Sequence, residues 1–147
     1  MSWTTLTEDH VKTRLAAAEL AALQTVALAV GQTDPLPEII AAVTDEIRGY
    51  ISANPSNQLG AAGTVPPRLE SAALAIIRYR LCTRLPVKTL LTDDRVKENE
   101  AAIRLLERVA AGNFAIEDSA GNEVSGVRIE QASTPTRTAT RSKLSGL

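Results

Sequence analysis

A chain of 147 residues with 44% hydrophobic residues is long enough to bury the core of one domain and too short for two. One Phe, one Trp and two Tyr leave the packing to aliphatic side chains and alanine, a composition that favours helices over sheets. The net charge of −1 is unevenly placed: between 126 and 147 Arg128, Arg137, Arg141 and Lys143 face Glu130 alone, a surplus of three cations, so residues 1–125 carry −4; a neutral-to-acidic body offers phosphates little attraction and excludes a general nucleic-acid binder.

Cys82 is the single cysteine, so no intrachain disulfide is possible and a reducing cytoplasm is the expected site of synthesis. The N-terminal region carries acids where a secretory signal carries bases, and no apolar run is long enough for a membrane span. No membrane partner is expected.

In chain order, Thr7 is an expected N-cap, with Glu8 and Asp9 placed against the positive end of the helix that follows. Val11, Leu15, Ala18 and Ala22 recur at helical spacing. Residues 8 to 29 read as one helix ended by Gly31, with a break near Ala18 and Glu19 as the competing reading. The segment QTDPLPE reads as a turn, because residues before proline avoid helical geometry, and a second helix then begins near Pro37. Leu36, Ile40, Val43, Ile47 and Ile51 form one apolar stripe, so this helix buries one face and wets the other. Asn54-Pro55 ends it. Residues 54–65, NPSNQLGAAGTV, hold two Gly, one Pro and two Asn, a long connection of the kind that binds partners or moves.

The run VPPRLESAALAIIRYRLCTRLP, residues 65–86, is the central element. Proline opens it where a missing N–H costs nothing. Leu69, Ala72, Ala73, Ile76, Ile77, Tyr79, Leu81 and Cys82 cover more than one stripe of the wheel, so this helix is expected to be packed on several sides. Thr92 is the expected cap of a further helix opened by Asp93 and Asp94, with Val96, Ile103, Leu106 and Ala110 inward and Gly112 as its stop. Beyond it, 114–116 and 124–130 are short runs with β propensity around a turn at 119–122. From Ala132 the Ser/Thr-rich basic sequence has too few apolar groups to fold alone. The expected fold class is all-α: a small bundle of about four to five helices around a central apolar helix (66–85), with an extended C-terminal arm. The division is a helical domain at 1–117 and a basic arm at 118–147.

No catalytic constellation is present. His10, the only histidine, has no Cys or second His to join it on a metal, and Cys82 reads as a small buried hydrophobe. Adjacent acids such as Asp45-Glu46 point about 100° apart on a helix and do not share a site. GAAG at 60–63 lacks the lysine and strand of a nucleotide loop. No catalytic residue, metal or cofactor is expected. Arg78, Arg80 and Arg84 interrupt the apolar central helix. Their heads either reach water and the carboxylates of the following helix or form a surface for a neighbouring subunit.

Four pieces of sequence resemble the Mu-like bacteriophage head–tail adaptor (connector, or head-completion) family: WTTLTEDHV followed by AELAAL, then LPEIIAAVTDEIRGYI, then VPPRLESAALAIIRYRL, and finally AAIRLLERVAAGNFAI. The chain departs from the family's usual pattern at SANPSNQLG and at Asn99, where a tyrosine is common. The resemblance implies a structural virion protein of the neck, between head and tail, that forms a homo-oligomeric ring of about twelve subunits beneath the portal. Genomic DNA would be non-specific cargo in its lumen, and a downstream neck or tail-completion protein would follow. Family members grip the portal with a terminal extension. Here Val124, Val127, Arg128, Ile129, Arg137, Arg141 and Lys143 fit that part, the alternation at 127–130 suiting a strand added to another protein's sheet. Arg78, Arg80 and Arg84 are the candidate subunit contacts. The competing class is a helical protein-binding module or small DNA-associated regulator that reads with its third and fourth helices.

Overall fold

The computed structural model describes residues 2–25, 33–84 and 91–117. Along them run β1 (Thr4–Thr5), α1 (Glu8–Lys12), α2 (Ala17–Thr25), α3 (Pro35–Ala53), β2 (Thr64–Val65), α4 (Pro67–Arg84) and α5 (Asp93–Ala110). Among the described residues the fold is all-α with one two-stranded antiparallel ladder, in which Thr4 pairs with Val65 and Thr5 with Thr64. Helices α3, α4 and α5 pack on one another, and α1 lies across α3 and α4.

Helix α3 starts two residues before the expected Pro37. Asp34 stands at the N-cap, outside helical geometry with φ −57° and ψ 121°, and accepts the Leu36 N–H at 2.9 Å, which leaves Pro35 and Pro37 in the first turn. A first turn has no intrahelical use for its N–H groups, so both prolines are tolerated there. The expected stripe holds: Leu36, Ile40, Val43, Ile47 and Ile51 are all buried. At about 1.5–3 kcal/mol each, these side chains stabilise the bundle more than the intrinsic propensity of the helix does. Helix α4 is buried on several sides, through Leu69, Ala72, Ala73, Leu74, Ile76, Ile77, Leu81 and Cys82.

The first helical segment is broken, and the break falls at Thr13–Ala16 rather than at Ala18 and Glu19. The Thr13 hydroxyl donates to the His10 carbonyl, and Glu19 reaches back to accept the Ala16 N–H at 2.7 Å, which starts α2 as half of a capping box. The expected Thr7 cap is present. Thr92 stands at the N-cap of α5 in extended geometry, but its hydroxyl makes no cap bond. The other end of α5 is a Schellman turn. Gly112 has φ +76°, its N–H donates to the Val109 carbonyl, and the Asn113 N–H donates to the Arg108 carbonyl at 2.8 Å. The buried face of α5 centres on Ala102, Leu106 and Val109, with Val96, Ile103 and Ala110 half-buried beside it.

The 54–65 connection is tied down. The Arg48 guanidinium donates to the carbonyls of Gly60, Ala61 and Thr64 at 2.8–3.1 Å and lies 5.9 Å from the centroid of the Trp3 ring. A Cβ on Gly60 would stand 2.7 Å from Trp3 Cδ2, so the loop backbone rests on the indole. The chain's one tryptophan thus holds its N-terminal strand, its longest connection and, as shown below, the start of its C-terminal segment.

Candidate functional site

Two helix stripes face one another across a groove of about 360 Å3. Arg68, Ser71, Ala72, Ala75 and Arg78 supply the α4 wall; Glu98, Ala101, Ala102 and Leu105 supply the α5 wall. Both sets recur at steps of three and four, one face of a helix each. Alanine and serine in the middle cannot fill the space between packed helices, whose axes lie about 8–10 Å apart, and the hollow remains. Its ends carry charge: Arg68 at one, and Arg78, Glu98 and the exposed Arg14 at the other.

The Arg78 end is held by a chain of ion pairs. Arg78 donates to Glu98 and to the Arg14 carbonyl. Arg95 Nη1 lies 3.6 Å from the same Glu98, and its Nε donates to Glu19 Oε1 at 2.9 Å. Glu19, only 3% exposed, also faces the Cys82 thiol, with Sγ 3.7 Å away. Two cations and two anions therefore compensate one another while joining α2, α4 and α5, and breaking one pair would strand a buried charge. Burial, aided by the neighbouring charge of Arg95, lowers the proton affinity of Arg78, and Glu19 opposes the shift. Burial first, and the nearby Glu19 carboxylate second, push the Cys82 thiol up. A thiol that is 2% exposed and held protonated is a packing group rather than a nucleophile.

Of the arginines singled out from sequence, Arg78 thus reaches the α5 carboxylate Glu98, and Arg80 pairs with Glu46 on α3. Both heads are occupied within the chain. Arg84 is exposed at the end of α4. His10 is half-buried in α1 with its Nδ1 unpartnered, and among the described residues no group of three or more His, Cys, Asp or Glu is placed to hold a metal ion. No helix among them is long and apolar enough to cross a membrane.

The last described residues, 114–117, are fastened to the body. Ile116 is fully buried and Phe114 packs against the core, with Arg108 over its ring. The Trp3 indole N–H donates to the Glu117 carbonyl at 2.9 Å, while Arg68 donates to the Ala115 carbonyl and lies 3.5 Å from the Glu117 carboxylate. Val124, Val127, Arg128, Ile129, Arg137, Arg141 and Lys143 lie outside the described residues. Sequence reasoning missed Trp3, Arg48, Glu19 and Arg68. Only Trp3 carried a signal, as the lone indole of an aromatic-poor chain.

The arrangement offers surfaces, ion pairs and an anchored segment, with no nucleophile beside a base and no converging acid pair among the described residues. No curated protein and no solved structure matches the chain significantly. The sequence model of the family described as bacteriophage Mu, Gp36 matches residues 6–132, which takes in every described helix and runs beyond Glu117, and the chain belongs to that family as a Mu-like phage protein.

Proposed function

We propose that this chain is a head–tail adaptor, a structural virion protein that forms a ring under the portal, lets DNA pass through its lumen and grips the portal with residues 124–147. Membership of a Mu phage family supports a structural or assembly role. The observation that carries the finer reading is the anchoring of Glu117 by Trp3 and of Ala115 by Arg68. A segment that is to transmit a grip needs a rigid root, and this one emerges from the core. The charge division fits the same use, with an acidic body and a basic extension that can settle on an acidic partner surface.

In this reading the partners are other copies of the chain, the portal protein and a downstream neck or tail-completion protein. Arg84 is the subunit-contact candidate of the three arginines, because Arg78 and Arg80 already hold Glu98 and Glu46. Deletion of residues 124–147 tests the reading. The truncated chain should keep its helical circular dichroism and fail to co-sediment with purified portal; co-sedimentation that survives the deletion refutes the grip. Salt-dependent binding of the body to duplex DNA would instead favour a DNA-associated regulator.

A further inference from the structure

Helix α2 turns a carboxylate toward the bundle. Among its described side chains Ala17, Ala18 and Ala21 are exposed, Leu20 and Ala22 are half-buried, and Glu19 is buried at 3% exposure. A surface helix ordinarily docks through an apolar stripe, as α3 does with Val43, Ile47 and Ile51 fully buried. In α2 the residue that reaches inward is charged, and it meets Arg95 of α5 at 2.9 Å and the Cys82 thiol of α4 at 3.7 Å. We propose that α2 is a strap held shut by the Glu19–Arg95 pair, which swings away about the Thr13–Ala16 break while α3, α4 and α5 stay packed, and so uncovers Cys82.

Three features of the fold make this opening local. The pivot is fixed independently of α2: Leu15 packs against the core, and Arg78 donates to the Arg14 carbonyl at 2.9 Å. The core shared by α3, α4 and α5, with Ile76, Ile77, Leu106 and Val109 at its centre, takes in no described side chain of α2, so it stays closed when the strap leaves. The charges also remain compensated. Arg95 lies between two acids, Glu19 and Glu98; opening returns Glu19 to water and leaves Arg95 its second partner, so neither ion is stranded in an apolar site. A unit with few buried apolar groups of its own is the kind that opens below the free energy of global unfolding. Cys82, 2% exposed with Glu19 against its thiol, then reports whether the strap is open. This holds for the chain on its own and does not rest on the portal reading.

The test is thiol labelling of the full chain under native conditions, with its single cysteine as the probe. Iodoacetamide is added at a series of urea concentrations well below the unfolding transition. The labelling rate of the urea-unfolded chain, divided by the native rate of the same variant at the same pH, gives a protection factor for Cys82. Expected is a native rate that stays flat with urea, since the urea slope scales with the surface exposed and the swing of one helix exposes little. Glu19→Gln should lower the protection factor about tenfold or more. Its amide oxygen still accepts the Ala16 N–H, as glutamine does in a capping box, but Arg95 loses this anion. In that variant, hydrogen exchange read by mass spectrometry should show the α2 amides losing protection while those of α3, α4 and α5 keep theirs. A labelling rate that climbs with urea along the global unfolding slope, a protection factor unchanged by Glu19→Gln, or protection lost equally across α2 to α5 would each overturn the proposal. Should Glu19→Gln fail to fold, the urea dependence of labelling in the native chain decides alone.

Discussion

Trp3 joins three parts of the molecule that are distant in sequence, so its replacement reports on all of them. Its side chain is 8% exposed, and burying an indole removes on the order of 150–250 Å2 from water. At about 25 cal/mol per Å2, this corresponds to about 4–6 kcal/mol of transfer free energy, an upper figure because the unfolded chain buries part of it too. Trp3→Ala should therefore cost about 3–5 kcal/mol. Trp3→Phe keeps most of the apolar area but removes the donor that meets the Glu117 carbonyl at 2.9 Å, and should cost about 1–2 kcal/mol. Urea unfolding followed by far-UV circular dichroism measures both, since the variants lose the fluorescent reporter. Limited proteolysis supplies the second readout: with Trp3→Ala, cleavage around residues 114–117 should accelerate, whereas Trp3→Phe should change it little. A Trp3→Ala cost below about 1 kcal/mol would refute the docking of the N-terminal segment against the loop and the arm's root.

Other consequences are as direct. Gly112→Ala places a Cβ at φ +76°, 3.1 Å from Asn54 Nδ2, and should destabilise by about 1–2 kcal/mol in thermal or urea unfolding. Arg95→Ala removes the cation facing the buried Glu19 and should cost about 3 kcal/mol, while Arg104→Ala, whose exposed partner is Glu100, should cost less than about 0.5 kcal/mol. The Cys82 thiol should resist alkylation in the native protein and react on unfolding. Because its folded state holds the proton beyond the ordinary thiol value of 9.0, the unfolded chain binds fewer protons above that pH, so stability should fall as pH rises through that range. Cys82→Ser should remove this part of the pH dependence.

The long helices were legible because their burial is periodic. The Leu36 to Ile51 stripe marks one buried face, the mixed faces of 65–86 mark a helix covered on several sides, and Gly112 marks a stop only a residue at positive φ can make. The ladder of β1 and β2 was not legible, since two-residue strands carry no period. Nor was the break at Thr13–Ala16, which depends on Glu19 turning inward to the Ala16 N–H and to Arg95. An acidic residue that finds a cation 76 positions away looks, in sequence, like any solvated one. The groove is the product of two stripes, on α4 and α5, that meet only in the folded bundle. Long arginines were ambiguous for the same reason: the sequence allowed either carboxylate partners or a subunit surface for Arg78 and Arg80, and the fold supplies Glu98 and Glu46.

The adaptor reading is tested most directly by imaging purified portal assemblies incubated with a saturating excess of the full-length chain. The account predicts an added ring of protein on one face of the portal, coaxial with its channel, with density for residues 124–147 running into the portal, and no added ring when those residues are deleted. Portals that stay bare beside the intact, folded chain would contradict it.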